Sequence, residues 1–455
     1  MPRSVESRPS SYLARGNVSM GEPNARIQHS AEFKKRRTLN WLVLGLTYSA
    51  MYMGRYNLGF VNLSLSETYG WDKSQIGWII TTALSIYGFS AIFNGPIADR
   101  LGGRRAMLIG ASGTVVFNFF FGLGAYFGFL GKGPLLLAYF ASVWGLSSYF
   151  QSFSALALIK VNAGWFHVTE RGVFSAIFGA MIQMGRLAIF AIAPVLVFYL
   201  PWQWVFFVPA MLVSVMAFLT FKVVHNGPED VNLPPLDVQD ASSGDTEKVS
   251  LSYVARKVFT NPVMLMIALA EFCTGVVRHG FEQWFPRYMQ EAQGLALNSP
   301  IFQKGALAVV AAGVVGAFAA GYLSDWFFKN RRPPVAFLGY AVQVVSLLVI
   351  WKSTNLNFII AAFVMNSFAI SIVHSMLSGT ASMDFGGKRA AATAAGLFDG
   401  MQYVGGSFVG IGMGWLLEQY GWTAWGPSMV GFSAVGGIIM LFLWNARPKT
   451  SSSGH

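Results

Sequence analysis

Two arginines stand where a charged side chain is expensive. Arg55 lies within Met53-Gly-Arg-Tyr-Asn57, deep in an apolar run that begins near residue 38. Arg278 lies within Val277-Arg-His-Gly-Phe-Glu-Gln-Trp284, deep in a run that begins near 262. Each sits about 16 or 17 residues into its run, so at the rise of an α-helix the two groups reach similar depth. Ionisable groups at membrane depth face a cavity or a partner. A guanidinium fork from each side suits a dianionic oxyanion such as phosphate, with a charge that does not titrate near neutrality. The competing reading is a structural pair with an acid or with backbone carbonyls. The matched placement of the two arginines favours the ligand.

Other groups share that depth. Arg186, in Gln183-Met-Gly-Arg186, either joins the binding cations, pairs with an intramembrane acid or faces a polar seam. Glu271 and Asp399 either neutralise an arginine in the empty protein or carry a proton once burial raises their affinity for it. His279 and His374 are ligand donors or satisfied interhelical donors. Tyr52, Tyr56, Tyr149, Gln151, Trp284 and Tyr403 are candidates to touch an organic moiety. No catalytic residue, metal-ligand spacing, phosphate-loop lysine or nucleophile elbow appears, so no cofactor or metal is expected and the chain does not read as an enzyme. Cys273 is the one cysteine and has no internal disulfide partner.

The elements that position these groups are long apolar helices. Charged residues make up 11% of the 455 residues, against roughly a quarter in soluble domains. Residues 76–98 carry no Asp, Glu, Lys or Arg, and a helix of that length spans about 35 Å, enough for a hydrocarbon core of about 30 Å. Twelve such runs are expected. They lie near 38–63, 76–98, 106–128, 133–160, 173–199 and 203–224, then 262–286, 303–326, 333–352, 356–380, 390–417 and 425–445. The expected class is an all-α membrane protein with twelve transmembrane helices in two pseudo-symmetric six-helix halves. The division is a polar tail 1–37 without a cleavable signal peptide, a first half 38–224, a linker 225–257, a second half 258–445 and a tail 446–455.

The net charge of +12 follows from the loops. With the N-terminus inside, Lys34 to Arg37, Arg100, Arg104, Arg105, Arg171, Arg256, Lys257, Lys329, Arg331, Arg332, Lys388 and Arg389 all lie on the cytoplasmic side, as retention of basic residues there requires. That places both termini in the cytoplasm and makes nucleic acid unnecessary as an explanation of the charge. The lipid bilayer is the implied partner, and the expected unit is a monomer.

An internal repeat joins the halves. Gly95-Pro-Ile-Ala-Asp99-Arg100-Leu-Gly-Gly-Arg104-Arg105 follows the second run, and Gly321-Tyr-Leu-Ser-Asp325 with Lys329, Arg331 and Arg332 follows the eighth. The pattern resembles the loop signature of the major facilitator superfamily. In it glycine permits close helix approach, and the Asp forms and releases a pair as the helices move. Gly406, Gly410 and Gly414, spaced by four, read as a close-packing face.

Further strings resemble the organophosphate:phosphate antiporters, the bacterial glycerol-3-phosphate and hexose-phosphate carriers. They are Gly54-Arg55-Tyr-Asn57, Tyr87-Gly-Phe-Ser90, Glu170-Arg-Gly172, Pro228-Glu229 with Leu233-Pro-Pro235, Arg278 with Gly280, Trp284 and Pro286, and Gly387-Lys-Arg-Ala-Ala-Ala-Thr-Ala-Ala-Gly396. The resemblance covers most of the chain after residue 38. It implies exchange of a phosphorylated organic anion (a sugar phosphate or glycerol phosphate) for inorganic phosphate, in a bacterial inner membrane, with Arg55 and Arg278 as the phosphate clamp. The chain departs from the family in three places. Ala91 stands where several carriers have Lys, Tyr56 follows the first-helix arginine where Lys is common, and Gly164 occupies the place of a His near the inner end of helix four. Arg186, where the family suggests glycine, would compensate as a third cation. The departures leave room for a proton-coupled symporter of a carboxylate or sugar acid, or for a transporter-like sensor of external organophosphate. A drug exporter is disfavoured by the cationic site.

Overall fold

The computed structural model describes residues 29–127, 131–166, 171–236, 259–328 and 331–446. Among them are thirteen α-helices: α1 Ala31–Tyr56, α2 Leu58–Tyr69, α3 Lys73–Leu101, α4 Gly103–Leu123, α5 Pro134–Trp165, α6 Arg171–Tyr199 and α7 Trp204–Val223, then α8 Pro262–Glu291, α9 Pro300–Trp326, α10 Arg332–Lys352, α11 Leu356–His374, α12 Ser382–Tyr420 and α13 Trp425–Phe442. Local signals set the boundaries. Ser30 caps α1 by accepting from Phe33 N–H, and Asp72 with Gln75 closes a capping box on α3. Pro134, Pro262 and Pro300 stand in the first turn of their helices, where the missing N–H costs nothing.

The first expected span is longer than the sequence suggested and is broken. It starts at Ala31 rather than near 38, because the Lys34–Arg37 turn extends the helix beyond the apolar part. It breaks at Asn57, whose buried side chain donates to Asn118 Oδ1 (2.9 Å) and to the Val205 carbonyl (3.1 Å). With α1 and α2 taken as one broken rod, the helices fill the twelve expected places. Among the described residues, seven helical segments are long and apolar enough by themselves to cross a bilayer.

Two expected loops are barely loops. The basic stretch after the second span continues helical to Leu101, and Gly102, at φ +80°, is the whole connection to α4. Between α11 and α12 the backbone stays helical through a seven-residue π segment, Ser375–Ala381. Yet Ser378 bonds to Asp399, 21 residues later. A straight helix would hold them about 31 Å apart, so the chain folds back between them. Polar residues such as Lys388 and Arg389 do not end a helix by themselves, and no proline falls between Ser375 and Tyr420.

The packing is that of a protein bathed in lipid. Phe89, Phe93, Phe318 and Phe358 face outward, each 60% or more exposed, whereas Asn57, Asn118, Ser147, Gln343 and Asn366 are fully buried. Several of the polar side chains inside pair with one another, as Asn57 does with Asn118 and Gln343 with Ser433, and the apolar ones outside meet hydrocarbon. The halves meet along α3 with α12, α2 with α8 and α6 with α9. At the end that carries Lys73 they are tied firmly. Arg287 Nη1 reaches Asn62 Oδ1 (2.7 Å) and Ser66 Oγ (2.9 Å), Lys73 Nζ reaches Glu291 (3.2 Å), and Lys73 N–H donates to Glu418 (3.2 Å). The glycine face works there. A Cβ on Gly77 or Gly410 would run into the other's backbone, one on Gly414 into the Lys73 carbonyl, and one on Gly406 into the His279 ring.

In the repeated loop pattern, Gly95, Asp99, Arg100 and Asp325 lie outside the described side chains. Arg104 donates through its guanidinium to the Phe221 carbonyl and through its backbone to Asn226 Oδ1 (2.8 Å), and Arg105 is exposed. Gly321 has nothing within 4 Å of where a Cβ would stand, so close helix approach does not explain that copy of the glycine.

A candidate anion-binding site between the halves

Arg55 projects from α1 just before the break at Asn57. Its Nε donates to Gln151 Oε1 on α5 (2.7 Å), and Gln151 is itself held by donating to the Gly54 carbonyl and Ser147 Oγ. The guanidinium lies 4.6 Å from the Tyr52 ring and 4.7 Å from the Tyr87 ring, within cation–π range. Tyr87 of α3 stacks on Tyr403 of α12 with centroids 4.3 Å apart, so the aromatic wall of Arg55 bridges the two halves. Arg55 Nη2 is buried and finds no hydrogen-bond acceptor among the described residues.

Arg278 projects from α8. Its Nη1 donates to Gln402 Oε1 (2.8 Å) and its Nε lies 3.3 Å from Glu282 Oε1, one helical turn on. Gln402 hands the network outward, its amide nitrogen lying 2.9 Å from Glu271 Oε2 and 2.8 Å from His374 Nδ1. Glu271 is thus buried and one amide removed from Arg278, while Asp399 is exposed and bonded to Ser378.

Arg186 crosses from α6 in the first half to Glu282 in the second, with Nη2 2.9 Å from Oε1 and both side chains under 10% exposed. Its guanidinium also lies 5.2 Å from the Tyr56 ring, and Gln183 accepts from it at 3.3 Å. The intramembrane acid weighed as a partner for Arg186 therefore exists. It is Glu282, and one carboxylate oxygen serves both Arg186 and Arg278. Glu282 is not among the groups expected at the site from the sequence. Its spacing of four from Arg278, the ion-pair spacing of a helix, was the available signal.

Two small cavities adjoin these groups. The first, about 30 Å³, is lined by Arg55, Tyr56, Tyr87, Gln151, His279 and Tyr403 among others. The second, about 40 Å³, is lined by Gln183, Arg186, Arg278, Glu282, Ser371 and His374 among others. Each has room for about one water, whose share of the liquid is roughly 30 Å³. Arg55 and Arg278 thus face neighbouring compartments rather than one. His279 joins them, since it walls the first and its Nδ1 lies 3.6 Å from Glu282 Oε2. Two aromatic candidates lie elsewhere. Trp284 is fully buried with Nε1 donating to the Val409 carbonyl at 3.3 Å, and Tyr149 packs edge-on against Phe150 and Phe153. Tyr52 sits beside Arg55, edge-on to Tyr48 and tilted against Tyr56. Among the described residues no group of His, Cys, Asp and Glu is placed to hold a metal ion.

The family model described as the Major Facilitator Superfamily matches residues 44–410. The chain belongs to that superfamily. It is accordingly an integral membrane protein of the facilitator fold. The chain is 27% identical over 431 residues to a glycerol-3-phosphate transporter of Bacillus subtilis (strain 168), covering 92% of this chain and 95% of that one. It is 24% identical to a probable hexose phosphate transport protein of Chlamydia trachomatis, covering 92% and 93%. These relatives bear out the resemblance carried by the Arg55 and Arg278 strings. Among solved structures, the facilitator is similar to a bacterial homolog of the human lysosomal transporter Spinster in an inward-facing, unoccupied conformation. The TM-score there is 0.69 at 15% identity, over 91% of this chain and 96% of that one, a likeness of fold.

Proposed function

We propose that this facilitator exchanges a phosphorylated organic anion, a sugar phosphate or glycerol phosphate, for inorganic phosphate by alternating access. The observation that carries the reading is Arg55. A buried guanidinium nitrogen with no acceptor, beside a cavity walled by Gln151, Tyr87 and His279, is a donor held ready for an oxyanion. Arg278 and Arg186 supply the facing cations across a thin wall. Anion entry spreads the compartments and draws the two arginines of the clamp onto one oxyanion. Reorientation of the halves about the site then carries it across.

Glu282 is the internal counter-ion of this cycle. Three arginines without an internal counter-ion would repel strongly and hold the empty carrier open. Glu282 offsets part of that repulsion while leaving a cationic surplus for the substrate to neutralise. The orientation belongs to the same proposal, with both termini and the 225–257 linker cytoplasmic, the halves at 38–224 and 258–445, a monomer, and a bacterial inner membrane. The tied end at Lys73 and Glu291 is then the outer one.

The test is counterflow with purified protein in liposomes. Uptake of labelled glycerol 3-phosphate or hexose phosphate should require phosphate inside and should not respond to an imposed pH gradient. Uptake into phosphate-free liposomes driven by that gradient would replace exchange with proton symport.

A further inference from the structure

Glu282 is the least expected group in the site. Its Oε1 is shared by Arg186 and Arg278, but Oε2 is buried, lies 3.6 Å from His279 Nδ1 and has no hydrogen-bond partner among the described residues. A carboxylate oxygen so placed retains acceptor capacity and a full share of the charge. The side chain walls the second cavity together with Gln183, Ser367, Ser371 and His374, all able to bond hydroxyls. The arginines and carboxylates walling the two cavities are Arg55, Arg186, Arg278 and Glu282, a formal surplus of two positive charges. Glu271 and Asp399 wall neither cavity; the first bonds to Gln402 and the second to Ser378.

Two positive charges balance one phosphomonoester dianion. A substrate with a further carboxylate would bring a third negative charge into a compartment that already holds Glu282. Like charges juxtaposed in a desolvated site are strongly unfavourable. A hydroxyl in the same place would instead donate to Oε2.

Resting on the phosphate-exchange reading, we propose that Glu282 is the specificity-determining residue for the organic part of the substrate. Its free oxygen accepts hydroxyls of an uncharged polyol, and its charge rejects a second anionic group. The part of the second cavity beside it is the polyol subsite, and the phosphate sits at the junction of the two compartments, between Arg55 and Arg278.

A matched pair of probes tests this. Glycerol 3-phosphate and 3-phosphoglycerate have the same skeleton and differ by a hydroxymethyl against a carboxylate. Their inhibition of labelled-phosphate counterflow is measured in liposomes for wild type, Glu282→Gln, Glu282→Asp and Arg186→Gln. Wild type should prefer glycerol 3-phosphate by about tenfold or more. Glu282→Gln should narrow or reverse that ratio, and Glu282→Asp should keep its direction because the charge stays. Arg186→Gln, which removes one positive charge, should widen it, and this arm remains informative if Glu282→Gln does not fold. A wild type that treats both probes alike overturns the proposal, as does a Glu282→Gln that weakens both equally, the mark of a merely structural role. A wild type that exchanges no phosphate at all fails the earlier reading instead, and the two failures are distinct.

Discussion

Arg55 and Arg278 differ in how they are held. Arg55 has a neutral amide and two aromatic faces, so most of its charge is available. Arg278 is shared among Gln402, Glu282 and, through Gln402, Glu271. Removing either arginine should still weaken phosphate binding by about 2–5 kcal/mol, roughly 30-fold to several-thousand-fold, because the anion is left half-neutralised. Lysine at either place should rescue partially at best, since the planar fork is lost. The double alanine variant should lose less than the sum of the singles, because both act on one bound anion. Binding to purified, monodisperse variants checks this, and singles that bind normally while folded would refute the clamp. At this scale the sequence singled out the arginines that the structure places beside the two cavities, because a charge in an apolar run has few explanations. It was silent on partners. Glu282 and Gln402 reach Arg278 from one turn away and from another helix, and only the second of those distances is invisible in a linear string.

The helices set the depth of these side chains through glycines beside them. A Cβ on Gly185 would strike the Ser49 carbonyl of α1, which seats Arg186 against the Arg55 helix. A Cβ on Gly275 would strike the Gln402 carbonyl of α12, one turn before Arg278. Gly275→Ala should therefore push α12 off α8 and lengthen the Arg278–Gln402 contact. The expected result is a loss of phosphate affinity of tenfold or more, from a residue that touches no ligand, together with overpacking of about 1–3 kcal/mol in thermal stability. Unchanged affinity with lowered stability would mean that Gln402 does not position Arg278. The twelve helices were legible as apolar runs. The fold-back between Ser378 and Asp399 was legible too, as the gap between runs 356–380 and 390–417 that holds Lys388 and Arg389. The break at Asn57 was not, because Asn57 is buried by partners on α4 and α7 and no proline marks it.

At the scale of the molecule, the distribution of basic residues is the ground for the proposed orientation. Cysteines introduced at Ser243 and Ser452 should resist an impermeant thiol reagent in intact cells and react once the membrane is permeabilised. Reaction in intact cells would invert the topology and make the Lys73–Glu291 end the inner one. In the proposed cycle the matched arginines, one per half, let each half bring part of the charge to the same anion.

The glycine pair Gly77 and Gly410 has a practical corollary. Two backbones that touch without a side chain between them form a door that shuts flush, and a single β-branched residue is a doorstop. Gly77→Val should leave the cationic cluster intact, because Arg55, Arg186 and Arg278 lie deeper, yet should keep the outer end from closing. Such a variant should bind phosphate in a thermal-shift assay and fail to exchange it across a liposome membrane. Retained exchange would show that closure does not pass through this contact. A carrier jammed ajar in this way offers its substrate site to one side alone, and so separates the strength of recognition from the rate of passage.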